Sequence, residues 1–230
     1  IRCYLLPWFN MNRKKILILS VSAGSGHLRA AQALDEMAKG SSLIDAKHVD
    51  ILTVVPWWVR FVFQNVYAFV VQRATPVWKM VYALLNRKSG VSIFYWLFRP
   101  IQKIGMKQFL KMVEKEKPDA IICTHSFPAQ ILQLSKKHRH IPVFMVVTDY
   151  AFHTFWLVDH AKGYFVGDET VVKEMKEYRI DPSIIDVTGK TNKKAFFQTP
   201  KEEEIRQSYG YTQKDTVILF LSGGMGMTAI

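Results

Sequence analysis

The stretch Ile16–Ala33, ILILSVSAGSGHLRAAQA, decides the fold class of this chain. It opens with four consecutive apolar residues, a pattern typical of a parallel strand that is buried on both faces. A glycine-rich turn follows at residues 22–27, and the alanine-rich run Leu28–Lys39 predicts a helix that ends at Gly40. Strand, turn and helix in this order predict the first unit of a parallel α/β sheet.

The alternation of strands and helices continues along the chain. Doubly apolar runs predict strands, and apolar residues three and four positions apart predict helices. Such connections form right-handed crossovers, so the predicted fold class is a Rossmann-like parallel α/β sheet flanked by helices. The further predicted strands are Lys47–Val55, Ala120–Thr124, Val143–Thr148, Gly163–Val166 and Ile184–Thr188, and the further predicted helices include Phe127–His138 and Glu169–Tyr178.

The two ends of the chain differ in character from the sheet region. A methionine followed by basic residues is typical of a translation start, so we interpret residues 1–12 as an extension that need not be native. The α/β domain then covers residues 13–197. The polar residues 198–214 predict a linker, and residues 215–230 predict the strand Thr216–Leu221 and the glycine-rich turn of an incomplete second domain.

The composition excludes several classes of protein. Of 230 residues, 49% are hydrophobic and 22% are charged, which is typical of a globular protein and excludes a disordered or fibrous chain. Cys3 and Cys123 are too few for a disulfide framework or a zinc cage, so we expect a reducing compartment. The net charge of +12 indicates an anionic partner, which is nucleic acid, a membrane surface or a phosphate-bearing substrate.

Residues 57–111, which we call the aromatic–basic segment, carry nine of these net charges and no Asp or Glu. The segment also holds thirteen aromatic residues, and it contains no charge-free apolar run near the roughly 18 residues that suggest a membrane span. Trp and Tyr beside Lys and Arg are typical of a bilayer interface. The predicted contacts with an anionic membrane are Trp57, Trp58, Arg60, Arg73, Trp78, Lys79, Arg99, Lys103 and Lys107.

Two alternatives remain open for the aromatic–basic segment. Aromatic residues at helical spacing usually pack into a core, and basic residues interleaved with aromatic ones also describe single-strand nucleic-acid binding. The chain has no recognisable nucleic-acid motif, so we do not expect nucleic acid as a partner. At the end of the segment, a basic residue recurs at every fourth position from Arg99 to Lys115, which predicts an amphipathic basic helix.

The turn Gly24-Ser25-Gly26-His27 follows the first strand, where open α/β sheets bind their ligands. Glycines let backbone N–H groups approach a ligand oxygen, and a helix N-terminus favours negative charge. The turn does not match the dinucleotide fingerprint, although Asp50 is a candidate for its acidic residue. His27 has a side chain suited to removing a proton from a hydroxyl at neutral pH. Alternatively, the glycines make only a tight turn and His27 lies near a helix cap.

The loop Thr148–Trp156, TDYAFHTFW, is dense in polar and aromatic side chains and follows a predicted buried strand. Asp149 in this position is suited to orienting a hydroxyl or a histidine, and an aromatic ring is suited to stacking on a sugar or an acyl chain. The alternative is a structural loop in which Asp149 satisfies backbone donors and Trp156 is part of the core. His125, which follows another predicted strand, is interpreted as a core or capping residue.

Five stretches in order resemble the landmarks of monogalactosyldiacylglycerol synthases and processive diacylglycerol glucosyltransferases. They cover almost the whole chain from Lys14 onward, and their combination is specific at the family level. The stretches are Ile16–Ala33, Pro118–Pro128 (PDAIICTHSFP), Thr148–Trp156, Val187–Gly189 and Leu221–Met227 (LSGGMGM).

This resemblance implies a metal-independent, inverting glycosyltransferase of the GT-B type that uses a nucleotide-sugar donor and no cofactor. The chain would be its N-terminal, acceptor half, truncated at the start of the donor domain and inactive alone. The implied reaction transfers a hexose from a UDP-sugar to diacylglycerol, at the cytoplasmic face of the cell membrane, by a peripheral protein. The alternatives are a lipid-linked muramyl-peptide N-acetylglucosaminyltransferase-like enzyme and a non-catalytic basic module that binds membrane or nucleic acid.

The resemblance also implies roles for individual residues. His27 would be the catalytic base, with Asp149 or His153 orienting it or replacing it. The implied acceptor-binding residues are Gly24, Ser25, Gly26, His153 and Trp156, and the implied donor-binding residues are Ser222, Gly223, Gly224 and Gly226. Two departures from the family stand out: Ser22-Ala23 replaces the Asp-Thr pair of the plant-type motif, and Lys190-Thr191-Asn192 replaces an Ile/Val-Pro pair.

Overall fold

The structure is a computed structural model, and it describes residues 13–22, 24–66, 69–70, 73–74, 76, 80, 106–197 and 201–220. The strands are β1 (Lys14–Ser20), β2 (Ile44–Asp50), β3 (Ala120–Cys123), β4 (Val143–Val146), β5 (Ala161–Val166) and β6 (Ile185–Val187). The α-helices with described bounds are α1 (Ser25–Lys39), α2 (Trp57–Phe61), α3 (Lys107–Glu116), α4 (Ser126–Leu134), α5 (Glu169–Glu177) and α6 (Glu202–Ser208), and residues 69, 70, 73, 76 and 80 are also helical. A π-helical turn, Val62–Val66, continues α2, and single 3₁₀ turns lie at Ile51–Thr53, Lys136–His138, Thr154–Trp156, Pro182–Ile184 and Lys194–Phe197.

The six strands form one parallel sheet in the order β2-β1-β3-β4-β5-β6. This arrangement confirms the predicted Rossmann-like α/β fold. From β1 the chain first runs to one side, to β2, and then returns to the other side, to β3 and the later strands. The strand order therefore reverses between β1 and β3. In open α/β sheets the carboxyl ends of the strands at such a reversal form the crevice in which ligands bind.

The core explains why these segments form these elements. Leu17 and Leu19 of β1 and Ile121 of β3 are almost fully buried, as expected for central parallel strands covered by helices on both faces. Helix α3 buries Phe109 and Val113 against the sheet and keeps its lysines on the outer side. This arrangement matches the predicted amphipathic basic helix over residues 107–115. Its predicted start at Arg99 lies outside the described residues.

The predicted strand Lys47–Val55 was misplaced, because β2 lies at Ile44–Asp50 and the apolar residues after it form the buried turn Ile51–Thr53. As an edge strand paired only with β1, β2 is partly exposed and lacks the doubly apolar pattern. The predicted helix over residues 127–138 ends at Leu134, where Ser135 is extended.

The predicted strand Thr216–Leu221 is not formed over its described residues, 216–220. These residues are exposed and have no regular structure. A parallel strand needs a neighbour that accepts and donates its backbone hydrogen bonds. Within the described part of the chain, no strand pairs with residues 216–220, so their apolar pattern alone does not produce a strand.

Candidate active site

Three connections meet at the carboxyl edge of the sheet. His27 lies in the first turn of α1, after β1; His125 precedes α4, after β3; and the loop over residues 148–156 follows β4. Because β1, β3 and β4 are parallel neighbours, their carboxyl ends bring these segments together. His27, His125 and the loop therefore meet at the strand-order reversal, and we call this place the crevice.

Two oxygens hold the imidazole of His27 in place. Its Nδ1 atom lies 2.8 Å from the carbonyl oxygen of Thr124 and 2.7 Å from the hydroxyl oxygen of Thr148. A carbonyl oxygen can only accept a hydrogen bond, so Nδ1 carries the proton and the lone pair is on Nε2. The hydroxyl of Thr124 also donates to the backbone carbonyl of His27, at 2.8 Å. The side chain is thus fixed in the tautomer that accepts a proton at Nε2.

The glycines of the first turn are not required by the backbone. Gly24 caps α1 in an extended conformation with φ of −157°, which any residue can adopt, and Gly26 lies within the helix. A Cβ added at Gly26 would meet no atom within 4 Å. The space beside Gly26 is open, and Ser25 is exposed as well. Glycine at this position therefore leaves the backbone accessible without serving the packing of the described residues.

The loop over residues 148–156 is closed by contacts within itself. The indole Nε1 of Trp156 donates to Oδ2 of Asp149 at 2.8 Å, and Trp156 is only 3% exposed. The ring of Trp156 is centred 6.2 Å from that of His27. His153 is buried, and its Nδ1 accepts from the backbone N–H of Phe155, which caps a 3₁₀ turn. The carboxylate of Asp149 thus bonds to Trp156. The hydrogen bonds to Nδ1 of His27 come instead from Thr124 and Thr148.

Lys190 fastens this loop to the chain that follows β6. Its ammonium group donates to the carbonyl oxygen of Thr148, donates to that of Asp149 at 2.8 Å, and lies 3.8 Å from the centre of the Tyr150 ring. Burial lowers the pKa of Lys190. A Cβ at Gly167 would lie 2.8 Å from Cε of Lys190, so a side chain at position 167 would displace the end of this lysine. Sequence reasoning noted Lys190 only as a departure from the family.

His125 is the second histidine at the crevice. Its ring lies edge-on to that of His27, with ring centres 4.6 Å apart. Its Nδ1 accepts from the backbone N–H of Phe127 at 3.1 Å, and this contact caps α4. Burial, and secondarily the charge of His27, hold the pKa of His125 well below its usual value. The predicted capping role is therefore present, and the position beside His27 is additional.

Asp50 has a structural contact in place of the ribose contact of a dinucleotide site. Its carboxylate accepts from the backbone N–H groups of Ser22 and Leu52, at 3.2 and 3.1 Å, and so shapes the turns after β1 and β2. Among the residues that the structure describes, no group of three His, Cys, Asp or Glu side chains is arranged to hold a metal ion.

The described part of the aromatic–basic segment separates into packed and exposed side chains. Trp57 is 77% exposed and Phe61 and Val62 are exposed beside it, whereas Trp58 packs against the core. The guanidinium Nε of Arg60 donates to the carbonyl of Leu52 at 2.8 Å. Of the other predicted membrane contacts, Arg73 and Lys107 are exposed, and Trp78, Lys79, Arg99 and Lys103 lie outside the described residues.

Two further observations concern the predicted membrane association and the predicted donor-binding residues. No helix in the described ranges has the length and apolarity that crossing a bilayer requires. The predicted donor-binding residues, Ser222, Gly223, Gly224 and Gly226, lie outside the described residues.

Comparison with known proteins identifies the family. The sequence model of the family described as Monogalactosyldiacylglycerol (MGDG) synthase matches residues 27–190. The matched part begins at His27 and ends at Lys190, so it contains His27, His125 and the loop over residues 148–156. A Rossmann-like parallel sheet is the half-unit of the GT-B fold, and this family has that fold. The chain belongs to the monogalactosyldiacylglycerol synthase family, which confirms the resemblance seen in the sequence.

Individual relatives carry a consistent name. The chain is 27% identical over 218 residues to a processive diacylglycerol beta-glucosyltransferase of Bacillus pumilus (strain SAFR-032), covering 93% of this chain and 55% of that protein. It is 26% identical to the protein of the same name from Bacillus subtilis (strain 168), with the same coverage. Identity to the one from Staphylococcus aureus (strain bovine RF122 / ET3-1) is 27%, covering 76% of this chain and 44% of that protein. The chain thus spans about half the length of these curated relatives.

Proposed function

We propose that this chain is the lipid-acceptor half of a glycosyltransferase that transfers a hexose from a UDP-sugar to diacylglycerol. The observation that carries the proposal is the orientation of His27, whose Nδ1–H is held by Thr124 and Thr148 so that Nε2 is available as a base. The names of the relatives support a diacylglycerol acceptor. We assign no metal ion or cofactor to the reaction.

In the proposed reaction, the acceptor hydroxyl oxygen attacks the anomeric carbon of the sugar. A new carbon–oxygen bond forms, the bond from that carbon to the diphosphate breaks, and UDP leaves with the electron pair. The hydroxyl proton moves to Nε2 of His27. The Nδ1–H contact to the carbonyl of Thr124 strengthens as the ring becomes positive, because a charged donor forms the stronger hydrogen bond. The donor is assigned to the glycine-rich turn at Ser222–Gly226.

A lipid acceptor requires that the protein reach the bilayer surface. Trp57, Phe61 and Val62 form an exposed apolar group on and after α2, and the aromatic–basic segment carries nine basic residues and no acidic ones. At roughly 1 kcal/mol for each Lys or Arg near an anionic surface, part of this set supplies reversible binding. We propose peripheral attachment to the cytoplasmic face of the cell membrane, with no nucleic-acid partner.

Sedimentation with liposomes tests the membrane part of the proposal. We expect the chain to bind phosphatidylglycerol liposomes at low salt and to be released as salt screens the charges. Neutral phosphatidylcholine liposomes should bind it less. A Trp57→Ser variant should bind more weakly, and Tyr209→Ser, an equally exposed aromatic outside the segment, serves as the control. Equal binding to neutral and anionic liposomes would contradict the electrostatic contribution.

A transfer assay tests the catalytic part. The chain is mixed with diacylglycerol and either UDP-glucose or UDP-galactose, with and without a donor half of this family. We expect glycolipid only when a donor half is present, because the sugar must be held against the acceptor hydroxyl. Turnover by residues 1–230 alone would show that the division into acceptor and donor halves is wrong.

A further inference from the structure

His125 has a geometry that a capping role alone does not require. The turn of α4 needs only an acceptor for the N–H of Phe127, and Ser, Thr, Asp or Asn usually provides one. Here an imidazole provides it through Nδ1, and the same ring stands edge-on to the ring of His27 with centres 4.6 Å apart. A residue needed only for capping would require neither a second ring nitrogen nor a ring in contact with that of the proposed base.

The two imidazoles are held in opposite tautomers. Nδ1 of His27 faces a carbonyl oxygen and so carries its proton, which leaves the lone pair on Nε2. Nδ1 of His125 faces a backbone N–H and so carries its lone pair, which leaves the proton on Nε2. The crevice therefore combines one ring that accepts through Nε2 with one ring that donates through Nε2.

The environment of His125 keeps this second ring neutral. Burial and the neighbouring His27 both lower its pKa, the first more than the second. A neutral His125 retains a lone pair at Nδ1 for the cap and an N–H at Nε2. It also adds no positive charge beside His27, so it does not oppose the uptake of a proton there.

We propose that His125 is an acceptor-binding residue whose Nε2–H donates a hydrogen bond to the ester carbonyl oxygen adjacent to the free hydroxyl of diacylglycerol. This inference rests on the proposed function. A donor on the hydroxyl oxygen itself would make that oxygen a weaker nucleophile, whereas the ester carbonyl takes no part in the attack. The contact would present the hydroxyl to Nε2 of His27 and would select an acylated glycerol over an ether-linked one.

Two lipids and two variants test this role on the chain as it stands. Binding of soluble 1,2-dioctanoylglycerol is compared with that of 1,2-di-O-octylglycerol, which has the same hydroxyl but no ester carbonyl. His125→Asn keeps an acceptor close to the position of Nδ1 and so keeps the cap, but it loses the distal N–H. His125→Gln places an N–H close to the position of Nε2 and loses the cap.

We expect the wild-type chain to bind the ester roughly 2- to 10-fold more tightly than the ether, the range of one neutral hydrogen bond. His125→Asn should lose this preference and keep its melting temperature, whereas His125→Gln should keep the preference and melt lower. Equal binding of both lipids by the wild type, or an unchanged preference in His125→Asn, would overturn the role of His125. A wild type that binds neither lipid would instead overturn the proposed acceptor function.

Discussion

The turn after β1 and the loop after β4 lie at the same edge of the sheet and differ in how they are held. In the first, Gly26 has open space beside it and a conformation that any residue could adopt. In the second, Trp156 and His153 are buried, Asp149 closes the loop from within, and Lys190 holds it from outside. A glycine without a structural need therefore marks the accessible side of the crevice, and the crowded loop supports that side.

The largest expected effect comes from the accessible side. In a protein that includes the donor half, His27→Ala should lower kcat by about 10²–10⁴-fold, the usual contribution of a general base. His140→Ala, at an exposed histidine outside the crevice, is the matched control. Donor affinity should be nearly unchanged. If steady-state kinetics show that His27→Ala keeps a third of the wild-type kcat, a loss far below that range, the base lies elsewhere.

The next effect concerns the supporting side. Lys190→Met leaves the carbonyls of Thr148 and Asp149 without the ammonium donor, which should lower the free energy of unfolding by roughly 1–2 kcal/mol. Lys190→Arg should recover part of this loss, because it keeps the charge and the donors. Urea unfolding measures the difference, with exposed Lys194→Met as the control. A Lys190→Met variant as stable as the control would show that contacts within the loop over residues 148–156 are sufficient to hold it.

Acid should act through His125, which lies between these two regions, after β3. Its pKa is far below the usual 6.5 in the folded chain and near 6.5 in the unfolded chain, so between these values only the unfolded chain takes up the proton. The contribution of neutral His125 to the free energy of unfolding is therefore fully present above about pH 6.5. It is lost as the pH drops below that value, by at most about 1.4 kcal/mol per pH unit.

Unfolding at pH 7.5, 6.5 and 5.5 checks this dependence. His48, His138 and His160 also have lowered pKa values because of burial, so several histidines share the acid sensitivity. His125→Asn removes the contribution of one histidine, so the free energy of unfolding should depend less steeply on pH. A variant with the same slope as the wild type would mean that His125 is not protonated selectively on unfolding.

The smallest effect separates stability from function at Gly26. Alanine is the better helix former, and the added methyl group meets no atom, so Gly26→Ala should raise the unfolding free energy by up to about 1 kcal/mol. The same methyl group would stand where we expect the acceptor, so binding of 1,2-dioctanoylglycerol should weaken. A more stable variant with unchanged binding would show that the open space is not part of the acceptor site.

The sequence located the central strands better than the outer one, for a physical reason. Strands β1, β3 and β4 are covered on both faces, so their residues are continuously apolar and easy to recognise. Strand β2 lies at the edge, and its sequence IDAKHVD mixes charged and apolar residues. The more apolar residues after it are buried in a 3₁₀ turn, so hydrophobicity alone placed the strand too late along the chain.

For the site, the sequence indicated which side chains are chemically capable but not which atoms meet. His27 and Asp149 stood out by residue type and position. The partners of the His27 ring, a backbone carbonyl and the hydroxyl of Thr148, carry no distinctive sequence signal. The pairing of Asp149 with Trp156 and the contacts of Lys190 depend on three-dimensional packing of residues far apart or within one irregular loop.

The position of Lys190 has a mechanical consequence. Strand β6 ends at Val187, so at Lys190 the chain has already left the sheet. One hydrogen bond joins Lys190 to the carbonyl of Thr148, and one joins the hydroxyl of Thr148 to the imidazole of His27. A displacement of the Lys190 side chain would therefore reach, through these two hydrogen bonds, the residue that holds the imidazole. The chain that leaves the sheet after β6 is thus coupled to the imidazole of His27 through two hydrogen bonds.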